Sequence, residues 1–223
     1  SQTDTLPQEI AVKGSSKAAD LVVQGKSLLK TNPDRCLDIG LQALVTAKKE
    51  GDSFTESMAL ELLAEANYKL GEYETSLRYF NRAANLYSSI NKPEFAAKSL
   101  LGMARVYEAS QNLDLAIQQL EAGIKTLKNI PNKNVYLELI LKLGNLHLSQ
   151  KNFKQAKQYG IEALTLLNNQ ATSVYNKNKA LIDTYTLLGQ ASKNSGDLGT
   201  SLDYFKKVSE AAIKQSDSTS YSK

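Results

Sequence analysis

Apolar residues recur along this chain at i, i+3, i+4 and i+7, and strict alternation is rare, so the pattern is that of amphipathic helices and not of strands. Caps and breakers divide it. Asn32-Pro33, Gly51-Asp52-Ser53, Asn91-Lys92-Pro93 and Pro131-Asn132 each interrupt a helical stripe where Pro or Gly continues it badly. The predicted helices are 17–30, 34–49, 54–70, 73–90, 94–110, 113–129, 134–150, 153–169, 176–195 and 198–215. Residues 1–16 and 216–223 are polar and weakly periodic, and are expected to be a leader or linker and a tail.

The helices repeat as pairs. Short turns at Gly71-Glu72-Tyr73, Gln111-Asn112-Leu113, Lys151-Asn152-Phe153 and Gly196-Asp197-Leu198 are each followed by a small residue: Ser76, Ala116, Ala156 and Ser201. Asn32-Pro33 with Cys36 fits the same frame, so the small positions are spaced by 40, 40, 40 and 45 residues. The stretch Asn168 to Thr172 is the longest connection and accounts for the extra five. An apolar–small pair precedes each turn: Leu63-Ala64, Met103-Ala104, Leu143-Gly144 and Leu188-Gly189. A small residue at a fixed place lets the paired helix approach closely while a large one fills the hole opposite.

With these residues the segments 62–87 and 143–167 resemble the tetratricopeptide-repeat family. Its large–small–large scheme is matched by Leu60, Leu63, Ala64, Tyr73, Ser76, Phe80 and Ala83, and again by Ile140, Leu143, Gly144, His147, Phe153, Ala156 and Ala163. The period departs from the usual one of about 34 residues. It resembles the long-helix form found in sensory parts of bacterial kinases and regulators and in motor-associated light chains. The resemblance covers residues 17–215 and implies an all-α, right-handed superhelical solenoid of five helix pairs, with a concave groove lined by the first helix of each pair.

Composition narrows the chemistry. Only 12 Gly and 4 Pro occur in 223 residues, too few for an all-β fold with many tight turns. One Cys excludes an internal disulfide, and one His makes a multi-His metal site unbuildable. Cys36 occupies a small-residue position and His147 a packing position, so both are expected to be structural, and replacing His147 should cost stability and not turnover. No nucleophile–base pair, phosphate loop or metal spacing is present, so the chain is expected to be neither an enzyme nor a holder of metal or cofactor. Residues 1–111 carry a charge of −1 and residues 112–223 a charge of +5, but all four Arg lie in the first half. Scattered Lys on helix surfaces reads as a solvated face, so no nucleic-acid partner is expected. No apolar run is long enough to span a membrane, so no membrane contact is expected of this segment.

What remains is the groove. In the family frame its exposed positions are Glu61, Glu65 and Tyr68; Lys98, Arg105 and Glu108; Glu138, Lys142 and Asn145; and Asp183, Gln190 and Lys193. The Lys–Asn carboxylate clamp of the chaperone-binding branch is missing, because Glu61, Glu65, Leu101 and Arg105 stand at its places. Arg105 with Asn145 is expected to hold an acidic or backbone group of an extended peptide or helix. The expected function is a protein- or peptide-binding scaffold, the sensory part of a larger bacterial signalling protein. The alternative is a stand-alone adaptor or co-chaperone-like protein, with an enzyme the least expected. The sequence opens at Ser1 and both ends are polar, which suggests cuts in linkers, a larger parent that is periplasmic or cytoplasmic, and room for an oligomer.

Overall fold

The computed structural model describes residues 16–169 and 172–220. The expected 1–16 leader therefore lies outside the described residues, apart from Ser16. Ten helices occur among them: α1 Lys17–Leu28, α2 Pro33–Glu50, α3 Ser53–Lys69, α4 Tyr73–Ser89, α5 Pro93–Ala109, α6 Leu113–Leu127, α7 Asn134–Ser149, α8 Phe153–Asn168, α9 Lys177–Asn194 and α10 Leu198–Ser220. Nine agree with the apolar periodicity to within two residues at each end. The tenth runs five residues further than expected, through Ser216–Ser220, because nothing in that stretch breaks a helix: it contains neither Gly nor Pro.

Local chemistry sets the starts and stops. Side-chain oxygens of Ser16, Asn32, Asp52 and Asn176 accept hydrogen bonds from the backbone N–H three residues on, at 3.0–3.3 Å. Each within-pair turn of the last four repeats places one residue in the left-handed region: Gly71, Gln111, Lys151 and Gly196. The next N–H then reaches back to close the helix, as Glu72 N does to Asn67 O at 2.9 Å and Asn152 N to His147 O at 2.8 Å. Glycine adopts this conformation freely, whereas Gln111 and Lys151 adopt it against a side-chain penalty.

The chain divides into two compact units, residues 1–119 and 120–223. In the first, consecutive helices pack from α1 through α5, and α3 also touches both α1 and α5. The centre is α3, buried on most of its circumference. Around it Phe54, Tyr87 and Phe95 meet with ring centroids 5.1–5.8 Å apart, alongside Met58, Leu60 and Leu63. In the second unit α7, α8, α9 and α10 pack in sequence, and α9 also touches α7. Leu137, Ile140, Ala163 and Leu167 form one core cluster there, and Ala156, Leu187 and Ala191 another.

The small positions act as the pattern implied. Cys36, Ser76, Ala116, Ala156 and Ser201 are all buried. Ser76 Oγ donates to Ala64 O at 2.8 Å, and Ser201 Oγ donates to Gly189 O at 2.9 Å, twelve residues back in each case. A methyl group on Gly144 would come within 2.5 Å of Leu187, so this glycine is there for close packing.

Candidate functional site

In the first unit α1, α3 and α5 form a row of first helices, and five of the expected groove residues gather on it. Glu61, from α3, accepts hydrogen bonds from the Tyr87 hydroxyl at 3.2 Å and from Ser99 Oγ at 3.4 Å. Burial raises its pKa; the charges of Lys26 and Lys98 and the Tyr87 hydrogen bond oppose that, while Glu65 reinforces it. One turn further along α3, Glu65 forms an ion pair with Arg105 of α5. The Arg105 guanidinium also lies over the Tyr68 ring, 5.5 Å from its centroid, and Tyr68 packs against Tyr73 at 5.9 Å.

The result is a ladder of alternating charge across three helices, flanked by aromatic rings. It holds both signs. The Arg105 guanidinium is already engaged by Glu65, so an acidic group on a partner competes with that carboxylate rather than meeting an open cation. Lys98 is exposed and Tyr68 half-buried on the same row, and Glu108 is half-buried on α5. Lys26, Tyr87 and Ser99 belong to the cluster but escape the sequence frame. Lys26 stands on the shortest helix, where the repeat register is weakest, and Tyr87 and Ser99 read simply as core.

The remaining expected residues lie on α7 and α9 of the second unit. Glu138 and Asn145 are exposed and Lys142 is half-buried. Asn145 Nδ2 donates to Leu141 O at 2.9 Å, within its own helix. Asp183 pairs with Lys179 of the same helix at 2.8 Å, and Gln190 and Lys193 are exposed.

His147 and Cys36 have the packing surroundings expected of them. The His147 ring stacks on Tyr159 at 5.6 Å and 12°. Burial lowers its pKa, with Glu121 opposing. Nearby, burial and a hydrogen bond to Glu162 push Tyr136 up to about 12. Cys36 is fully buried against Leu62 and Ala66, and burial pushes its thiol up to about 11. Among the described residues no group of three or more His, Cys, Asp or Glu is placed to hold a metal ion, and no helix is long and apolar enough to cross a membrane.

One further feature stands apart from the groove. An open hollow of about 350 Å³ is lined by Lys17, Leu21, Leu41, Gln42, Val45 and Thr46 of α1 and α2. The places of Leu41 and Val45 are polar in α4, where the repeat puts Asn81 and Asn85.

These helix pairs, with a small residue at a fixed place in each and a period of 40, define an all-α solenoid class of repeat protein. Residues 54–129 match the family of the tetratricopeptide repeat. A solved kinesin light chain of Podosopora anserina with nearly identical tetratricopeptide-like repeats superimposes with a TM-score of 0.69 at 13% identity, over 89% of this chain and 95% of that one. A signal transduction ATPase of Pyrococcus horikoshii with a tetratricopeptide repeat sensor superimposes with a TM-score of 0.63 at 16% identity, over 89% of this chain and 32% of that one. Among characterised sequences, subunit 2 of the COP9 signalosome complex of Schizosaccharomyces pombe is 23% identical over 166 residues. That match takes in 73% of this chain, which spans 38% of the yeast protein's length.

Proposed function

We propose that this chain is a non-catalytic scaffold for protein–protein interaction, and that it grips a peptide or partner helix along the α1, α3 and α5 row. The observation that carries this is the ladder itself. Glu61, Glu65, Lys98 and Arg105 stand in register on adjacent first helices with Tyr68 beside them, which suits a backbone or side chain of mixed polarity. Rigid helices hold these side chains in place, which lowers the ordering cost of binding. Glu108 has the same role on α5, and Glu138, Lys142, Asn145, Asp183, Gln190 and Lys193 are proposed as a partner-binding face of the second unit, on α7 and α9, considered by itself.

The setting we favour is the sensory or interaction part of a larger signalling protein of the kinase or transcriptional-regulator kind. The support is the repeat sensor in the archaeal signal transduction ATPase, where the same fold occupies a third of a longer chain. A second reading, a stand-alone adaptor or assembly subunit, draws on the fission yeast complex subunit, a eukaryotic relative that also weakens a bacterial origin.

The test is site-specific photo-crosslinking in source cells. A crosslinker replacing exposed Lys98 should yield a covalent adduct with another protein. The same group replacing exposed Asn85 of α4 should not. Arg105→Glu should diminish the Lys98 adduct while moving Tm by only a few degrees, because a partly exposed ion pair contributes about 0–1 kcal/mol. Equal adducts at both positions, or none at Lys98, would rule out the row as the binding face.

A further inference from the structure

The repeats keep register closely enough for positions to be compared along the chain. The buried hydrogen bond from Ser76 to Ala64 O recurs from Ser201 to Gly189 O. The cation over an aromatic ring recurs too, Arg82 over Tyr79 at 5.9 Å and Lys207 over Tyr204 at 5.7 Å. In this register Leu41 of α2 corresponds to Asn81, Glu121, Ile161 and Lys206, and Val45 to Asn85, Lys125, Thr165 and Glu210. All of these residues are exposed. The packing of one repeat on the next therefore leaves this face of every second helix open. What sets α2 apart is that both of its residues there are aliphatic.

Leu41 and Val45, 46% and 51% exposed, line the hollow of about 350 Å³ on α1 and α2. Leu21 of α1 lines it with them, and Lys17 is its one charged lining residue. A void of about 150 Å³ holds a benzene molecule, so this hollow has room for about two side chains of that size.

The hollow lies where the chain enters α1. Ser16 caps that helix, and Lys17, the next residue, lines the hollow together with Val45 and Thr46. Residues 1–15 lead into the same point. They contain Ile10 and Val12, and from Ser1 to Val12 their only charged side chains are Asp4 and Glu9, opposite in sign to Lys17. Val12 lies within about 14 Å of Ser16, whereas packed helix axes are about 8–10 Å apart, so the tether is long enough to cross to α2. Gly14 stands within the tether and permits the reversal this path needs. A link this short presents the segment at an effective concentration of about millimolar, ahead of a partner that is free at lower concentration. The attachment is at Ser16 and holds whatever precedes Ser1.

We propose that residues 9–12 of this chain fold back onto α1 and α2, with Ile10 and Val12 in the hollow against Leu21, Leu41 and Val45, and Glu9 facing Lys17. The exposed aliphatic pair on α2 is then a seat for the chain's own preceding segment. This contact does not depend on the polar row of α1, α3 and α5.

The test uses the full chain with a benzophenone amino acid in place of Gln8, irradiated and then mapped by digestion and mass spectrometry. An equal mixture of ordinary and nitrogen-15-labelled chains separates crosslinks within one chain from those between two. Crosslinks within one chain to Leu21, Leu41 or Val45 are expected. Leu41→Lys with Val45→Lys should weaken docking about tenfold or more and lower the crosslink yield accordingly, since two aliphatic contacts are replaced by charges. The melting curve should stay close to that of the wild type, because Lys206 and Lys125 already occupy these positions in α10 and α6. Ile10→Asp, which leaves every described helix untouched, should lower the yield in the same way. Three results would overturn the proposal: crosslinks scattered without preference for α1 and α2, a yield that survives both Ile10→Asp and the double lysine variant, or crosslinks only between chains. The last would make a second copy's segment the occupant.

Discussion

Gly102 sets a measurable test of how tightly the first unit is packed. In Gly102→Ala the new methyl carbon falls 2.4, 2.5 and 2.8 Å from three atoms of the Phe80 ring. Carbon atoms rest about 3.5–4.0 Å apart, so the ring or the helix must withdraw by roughly 1 Å. Phe80 is buried among Ala64, Met103 and Val106, which leaves the ring little room. Two terms oppose each other. Replacing glycine by alanine inside a helix is worth about 1 kcal/mol. Overpacking a filled core costs about 1–3 kcal/mol, and a clash with three atoms of a ring belongs near the top of that range. The expected net loss is roughly 1–2 kcal/mol, or about 2–8 °C in Tm for a chain of this size. Urea unfolding followed by far-UV circular dichroism measures it. Gly189→Ala is the companion variant, because there the nearest ring atoms, those of Phe205, are 3.0 Å away and half-buried. It should be neutral or gain up to about 1 kcal/mol. Phe80→Leu in the Gly102→Ala background should restore part of the loss beyond additivity. A Gly102→Ala chain as stable as the wild type would refute the argument, since it would mean that Phe80 moves aside freely.

Two further outcomes follow from ionisation. Burial raises the pKa of Glu61, so its contribution to stability is complete below the unfolded carboxylate range and is lost as pH rises through the folded value. Glu61→Gln, which keeps an acceptor for the Tyr87 hydroxyl, should therefore raise Tm at pH 7 and not at the acid end of the stable range; a lower Tm at pH 7 would show that the charges of Lys26 and Lys98 outweigh burial. Cys36, pushed up to about 11, should resist a disulfide-exchange reagent at pH 8 in the native chain and react at once in denaturant. Rapid native labelling would show that the α2–α3 contact opens.

The fold was legible because its repeat is written in residue size. Ser76, Ala116, Ala156 and Ser201 mark each second helix, and Gly71 and Gly196 mark two turns outright. Gln111 and Lys151 are harder, since nothing in either side chain advertises a left-handed backbone; only their place in the period reveals it. The α3 and α5 row was legible as a set of positions but not as a set of contacts. Periodicity puts Glu65 and Arg105 exactly one repeat apart. It does not say that their side chains meet across the gap, which depends on rotamers and on the α3–α5 spacing. Lys26 went unseen for a related reason: α1 is a turn shorter than its counterparts, so counting along the repeat does not carry it onto Glu61. The extension of α10 beyond residue 215 is a question of helix propensity in a polar stretch, where no apolar stripe exists to be read.

The five additional residues between α8 and α9 have a consequence of another kind. They lie in the connection that ends at Asn176, and after them the hydrogen bond of the buried serine and the ring–cation contact return at the same relative places. Length and phase are thus inherited separately in this chain. A connection between repeats tolerates growth at a closure cost that rises by only about 0.6 kcal/mol per doubling, whereas one residue added inside a helix would rotate every later side chain by about 100°. Insertions that survive in such a lineage are therefore expected to gather in the joints, and an engineered reporter placed before Asn176 inherits the same tolerance.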